Sequence, residues 1–177
     1  DLAAAQQQFA AAQNEIQSLR QQLSAAQSAA PSQPAAPGME TAWVAGGQVG
    51  VTPGYTAVQE LNGETVYSYG ADTLRLSAVD AGAYGADGHT FDGLTQLANA
   101  LAGQQGGWVT DIQMASVGSR TACVAGMTLN GAPARAVLYQ SETMSTALVA
   151  CYTALSGDTA ACDAAINAVL TSLNGMN

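Results

Sequence analysis

Short runs in which apolar and polar residues alternate occupy much of the chain after residue 42. Alternation with a period of two places one set of side chains on each face of a strand, so these runs predict β-strands. Two runs flank Asn62-Gly63 and two more flank Asn130-Gly131, and Asn-Gly accepts the positive φ angles of a tight hairpin turn. The predicted strands are Trp43–Val51, Tyr55–Leu61, Thr65–Tyr69, Thr73–Val79, Trp108–Val117, the two runs beside Asn130-Gly131, and Met144–Thr153.

Two other segments repeat their apolar residues at helical spacing. Thr90 precedes the first as a predicted N-cap, with Asp92 in the first turn, and the break Ser156-Gly157-Asp158 precedes the second. The two apolar stripes consist of Phe91, Leu94, Leu97, Ala98 and Leu101, and of Cys162, Ile166, Val169, Leu170 and Leu173. The pattern predicts an α+β fold, a mainly antiparallel β-sheet with two packed α-helices.

The first thirty residues are rich in Ala and Gln and predict a coiled-coil helix. Leu2, Phe9, Ile16 and Leu23 recur every seven residues, and Ala5, Ala12, Leu19 and Ala26 fill the second seam position. We expect residues 2–26 to form the oligomerising part of a stalk over residues 1–30, and the alternative is a solvated Ala-rich helix or a disordered tail. The proline-rich segment 31–39 predicts a semi-rigid linker to a globular domain over residues 40–177.

Composition excludes several classes of partner. Charged residues make up only 10% of the 177 residues; there is no Lys, and four Arg face thirteen acidic residues, for a net charge of −9. Nucleic-acid binding needs clustered Lys or Arg, so we expect none. No apolar run reaches the roughly 18–20 residues of a membrane span, so we expect no insertion by this segment. The chain starts at Asp1 without Met, which we interpret as a mature form that has lost a targeting segment.

One Gly-rich loop gathers candidate metal ligands. Asp80, Asp87, His89 and Asp92 lie within thirteen residues of one another, and carboxylates suit hard divalent cations. Their spacing does not match a calcium-loop motif, and an acidic helix-capping loop explains the same residues. The segment therefore carries two hypotheses, a weak metal site and a solvated loop, and we predict no bound cofactor.

The three cysteines fall at apolar positions of the pattern. Cys151 ends a predicted strand and Cys162 begins the helix that follows it, so these two are the candidate disulfide pair in an exported protein, with free thiols as the alternative. Cys123 is left over. The glycines at 46, 47 and 50 interrupt a strand-like run, and we interpret them as a bulge or an edge.

The order of elements resembles the PsbP-like family from about Val49 to Leu173. The segments that carry the resemblance are VGVTPGYTAVQELNGETVYSYGADTLRLSAV, TFDGLTQLANAL, the Asn130-Gly131 hairpin, TMSTALVACYTAL and AACDAAINAVLTSL. The resemblance implies an antiparallel sheet flanked by helices, in a family whose bacterial members are often secreted or lipid-anchored accessory proteins. It transfers no functional residue to this chain.

These observations lead to one expected function and two alternatives. We expect a bacterial, extracytoplasmic, non-enzymatic accessory or binding domain of the cell envelope, presented on an oligomerising stalk to an unidentified protein partner. The first alternative is a metal-dependent or hydrolytic enzyme that uses Asp80, Asp87 and His89. The second is a structural assembly protein that acts through its coiled coil.

Overall fold

In residues 39–174, the part of the chain that a computed structural model describes, nine strands and two α-helices form the predicted α+β fold. All of these residues belong to one of the chain's two units, Ala35–Asn177. The predicted stalk, and the predicted linker except for Met39, lie outside the described residues. The elements are β1 (Glu40–Val44), β2 (Gly47–Val51), β3 (Ala57–Leu61), β4 (Glu64–Tyr69), β5 (Asp72–Val79), α1 (Phe91–Gln104), β6 (Trp108–Val117), β7 (Arg120–Leu129), β8 (Ala132–Tyr139), β9 (Ala147–Thr153) and α2 (Thr159–Asn174), with a 3-10 turn at Ala81–Tyr84.

Seven of the strands form one antiparallel sheet in the order β3-β4-β5-β9-β8-β7-β6. Strands of this sheet that are neighbours in the sequence also pair, except for β5 and β6, which α1 connects; the last strand, β9, lies in the centre between β5 and β8. Every residue of β9 but the last is buried, as expected for a central strand that is covered on both faces. The strands β3 and β6 are left at the two edges.

The two helices lie on opposite faces of the sheet. Leu94 and Leu97 of α1 belong to a core cluster with alternate residues of β7, β8 and β9. Ile166 and Val169 of α2 belong to a second cluster, which contains the intervening residues of the same three strands. Because side chains alternate along each strand, the sheet separates the two cores.

The hairpin β1–β2 shares the α2 side of the sheet, and its turn corrects one prediction. Ala45 and Gly46 have φ angles of 53° and 80° and form a tight turn, so the run Trp43–Val51 is the greater part of a hairpin rather than one strand. Asn62 and Asn130 have φ angles of 53° and 49°, which confirms the two Asn-Gly turns. Alanine is rare at positive φ, so Ala45 did not indicate the turn, although the adjacent pair Gly46-Gly47 is itself a turn signal.

Gly50 fixes how closely this hairpin approaches α2. A Cβ atom at Gly50 would lie 2.8 Å from Cβ of Ser172, inside van der Waals contact. The inward residues of the hairpin, Val49 and Val51, are fully buried beside α2. The glycine is therefore not a bulge marker; it allows β2 to pack directly against the last turns of the helix.

Candidate functional site

Strand β6 offers the longer of the two free edges of the sheet. It has ten residues, against five in β3, and within residues 39–174 it pairs only with β7. Met114 and Trp108 on β6 are 64% and 59% exposed, which is unusual for large apolar side chains in a strand. The pairing with β7 shifts register between Val109 and Asp111, and beyond this bulge the strand is regular to Val117.

The two faces of β6 differ in chemistry. Gln113 and Ala115 lie opposite Val124 and Ala122, which belong to the core under α2. These positions therefore face the α2 side. Met114 lies opposite Cys123, which belongs to the core under α1, and so faces the other side.

A groove of about 240 Å³ runs between the edge strand and α2. On the helix side, the groove is lined by Asn167 and by Asp163, whose side chain is about half exposed. Arg135 of β8 lies at its base. Arg135 donates a hydrogen bond to the Asp163 carboxylate, so the cation of the groove is already neutralised. We call this feature the edge groove; it is lined by Gln113, Met114, Ala115, Val124, Arg135, Asp163, Ile166, Asn167 and Leu170.

The described residues carry a strong excess of negative charge. Eleven of the thirteen acidic residues lie in this part of the chain, against three of the four arginines. All three of these arginines form ion pairs: Arg75 with Glu64, Arg120 with Glu142, and Arg135 with Asp163. The remaining carboxylates have no arginine partner within the described residues, and they set the sign of the field around the domain.

Four tyrosines, Tyr55, Tyr67, Tyr69 and Tyr152, form a second feature at the hairpin side of the sheet. The ring centroids of Tyr55 and Tyr67 are 5.0 Å apart and those of Tyr55 and Tyr69 are 6.2 Å apart, both edge to face. The Tyr55 hydroxyl donates to Glu40, and this bond, with smaller effects of burial and charge, raises the pKa of Tyr55 to about 12. At these distances the rings fill the space between themselves, so the cluster is packing rather than a cavity for a ligand.

Asp72 carries the best-connected carboxylate of the described residues. It is 5% exposed and accepts from the Ser156 backbone N–H at 2.7 Å, the Ser156 hydroxyl at 2.8 Å and the Tyr152 hydroxyl at 3.2 Å. Burial favours the neutral acid, but these donors outweigh it and hold the pKa of Asp72 below its usual value. Burial, followed by the charge of Asp72, raises the pKa of Tyr152. The network joins β5 to the turn before α2.

The predicted loop residues cap turns. Asp80 accepts from the backbone of Gly82, and Asp87 accepts from the backbone of His89. The imidazole Nε2 of His89 lies 3.4 Å from Nε2 of Gln140. Among residues 39–174, no group of three or more His, Cys, Asp or Glu side chains has an arrangement that could hold a metal ion. Thr90 caps α1 as predicted, because its hydroxyl accepts from the Gly93 N–H.

The cysteines are three buried free thiols. Cys151 belongs to the core under α1 and Cys162 to the core under α2, so the sheet lies between the candidate disulfide partners. The sequence placed them at the end of a strand and the start of the next helix but did not specify the face of the strand. Desolvation is the main cause that raises the pKa of each to about 11, which keeps both thiols protonated at neutral pH.

None of the helices in the described residues is long and apolar enough to span a bilayer. A scan of protein-family models finds no match to the chain, and a search of curated proteins finds no relative. The resemblance to the PsbP-like family therefore stays a prediction that rests on the order of elements.

Proposed function

We propose that this domain is a non-enzymatic binding module that engages a protein partner at the free edge of its sheet. The observation that carries the proposal is the edge strand β6, on which Met114 and Trp108 are exposed and whose middle residues form one wall of the edge groove. Exposed apolar side chains next to a concave, polar-rimmed surface are typical of interaction sites. Partner binding is also the role that the PsbP-like resemblance implies.

We propose further that an N-terminal stalk presents the domain to its partner. The heptads of residues 2–26 and the prolines of residues 31–39 support an oligomerising stalk that holds the domain outside the cytoplasm at the cell envelope. Several copies of one weak site on a shared stalk bind a repetitive partner more tightly than a single copy does. A modest edge site is therefore compatible with stable attachment.

Site-specific photo-cross-linking tests the binding role. A photoreactive phenylalanine analogue replaces Met114 in the full chain, in the cells that produce it, and a matched variant carries the analogue at Leu155. Leu155 is 62% exposed, close to the 64% of Met114, but it follows β9, three strands away. We expect an adduct of defined mass from position 114 that position 155 does not give. Equal adducts at both positions, or none at either, would contradict the proposal.

The stalk has its own test, which leaves the edge site untouched. Light scattering gives the molar mass of the full chain and of residues 39–177 over a range of concentrations. We expect an oligomer for the former and a monomer for the latter. A monomeric full chain at the highest concentration would remove the stalk and leave the binding role of the domain standing.

A further inference from the structure

We infer that the partner binds β6 as an added β-strand and that its residues alternate between apolar and basic. This inference rests on the proposed function and specifies its chemistry: the occupant is an extended cationic peptide segment of another protein. Strand addition uses the unpaired N–H and C=O groups of a sheet edge for affinity, and the side chains on its two faces for specificity.

The regular part of β6 has none of the usual protection of an edge. Natural sheets block free edges with Lys, Pro, bulges or short strands. The bulge of β6 lies before Asp111, and the six residues that follow, Ile112–Val117, contain neither Lys nor Pro. Six residues extend over about 20 Å, the length of an ordinary strand. By contrast, the opposite edge β3 is five residues long and includes Glu60.

The side of β6 towards α1 selects apolar residues. Met114 is exposed there, and Ile112 packs against the core under α1. Cross-strand neighbours on one face lie about 5 Å apart, so every second residue of an added strand would meet these two side chains. An apolar residue at those positions would cover the thioether of Met114.

The side of β6 towards α2 selects basic residues. Asp111 lies on this face, opposite Gly126 of β7, which contributes no side chain, and it accepts a hydrogen bond of 2.8 Å from Gln113. Trp108 precedes it on the same face with an exposed indole. A Lys or Arg at the start of an added strand would find a carboxylate in Asp111, and the exposed indole of Trp108 offers an aromatic face on the other side of the bulge.

The negative charge of the domain also makes a second copy of this chain an unfavourable occupant of the edge. Each copy brings eleven acidic residues and three already paired arginines in its described part. Two such surfaces repel each other, whereas a basic segment is attracted and its association is accelerated at low salt. The occupant that the charges favour is therefore cationic and differs from the chain itself.

The test uses two synthetic ten-residue peptides, one alternating Val with Lys and one alternating Val with Glu, added to the full chain. Fluorescence anisotropy of a labelled peptide gives the affinity, and hydrogen exchange gives the protection of each β6 amide. We expect the Lys peptide alone to bind, more weakly as salt increases, and to slow the exchange of outward amides in Ile112–Val117. Equal binding of the Glu peptide, or no added protection of β6, would overturn the inference.

A matched pair of variants separates the edge from general charge. Met114→Lys and Leu155→Lys add the same charge at side chains of nearly equal exposure. We expect Met114→Lys to weaken binding of the Lys peptide by about tenfold or more, because it replaces the apolar side chain that the Val residues would cover with a charge that blocks the edge, and Leu155→Lys to weaken it by less than about twofold. Equal effects would refute strand addition. A photo-adduct at position 114 without protected β6 amides would also refute it, while the binding role itself would stand.

Discussion

Removal of the Asp72 carboxylate gives the sharpest test of how this fold is held together. Asp72→Ala would remove three hydrogen bonds at 2.7, 2.8 and 3.2 Å and leave the backbone N–H of Ser156 without its acceptor. Hydrogen bonds to a charged group contribute about 1.5–3 kcal/mol each, and the cost of burying the carboxylate offsets part of their sum. The expected loss in the free energy of unfolding is about 2–4 kcal/mol.

Thermal denaturation measures this loss. For a domain of this size, a loss of 2–4 kcal/mol lowers the melting temperature by about 10 °C. The control is Asp111→Ala, which removes an exposed carboxylate that accepts one hydrogen bond from a neighbouring side chain, and it should change stability by about 0.5 kcal/mol or less. A melting temperature for Asp72→Ala that matches this control would refute the reasoning.

The same network predicts a pH dependence. Its donors hold the pKa of Asp72 below the value of about 3.9 in an unfolded chain, so the folded protein binds the proton less readily. The stabilising contribution is complete above that unfolded value and is lost as the pH falls through the lower, folded pKa. The difference in unfolding free energy between wild type and Asp72→Asn should be constant near neutral pH and shrink below pH of about 4. A difference that widened on acidification would have the wrong sign.

Three further predictions concern packing and titration. Gly93→Ala should destabilise the fold by about 1–3 kcal/mol in a denaturant titration, because the new Cβ would lie 2.0 Å from the backbone carbonyl oxygen of Asp87; an unchanged midpoint would contradict it. Glu40→Gln should lower the pKa of Tyr55 from about 12 towards its ordinary value, since the carboxylate is the main cause of the shift, and ultraviolet titration of the tyrosines would detect this. All three thiols should react slowly with a maleimide in the native protein and rapidly in denaturant, because Cys123, Cys151 and Cys162 are buried. If the intact mass is instead lower by two hydrogens, that result would support the predicted disulfide.

Local signals made most of the elements predictable. The Asn-Gly turns, the Thr90 cap and the two apolar stripes depend on residues close together in the chain, and the structure confirms them. The Ala45-Gly46 turn escaped because Ala45 adopts a φ of 53°, which few alanines do. Residue propensities describe the backbone conformation that a residue usually adopts, so they do not predict a turn residue in a rare conformation.

Long-range order was not predictable in the same way. Nothing in the sequence near Leu76 indicates that it pairs with Ala150 of β9, and yet this pairing places the last strand in the centre and leaves β6 at the edge. The edge groove therefore had no sequence signature, although its strand was predicted. Asp72 was missed for a similar reason, because its partner Ser156 is 84 positions away.

The hairpin β1–β2 is the first described element after the segment that leads from the N-terminus, and it lies outside the seven-stranded sheet. Glu40 pairs with Val51 at the open end of the hairpin, so tension applied along the chain from its N-terminal side would break the rungs of this ladder one after another. Strands that peel in sequence yield at lower force than strands that must shear together. Under such tension the hairpin would thus unpair first and release its ten paired residues as extended chain while the central sheet stays intact.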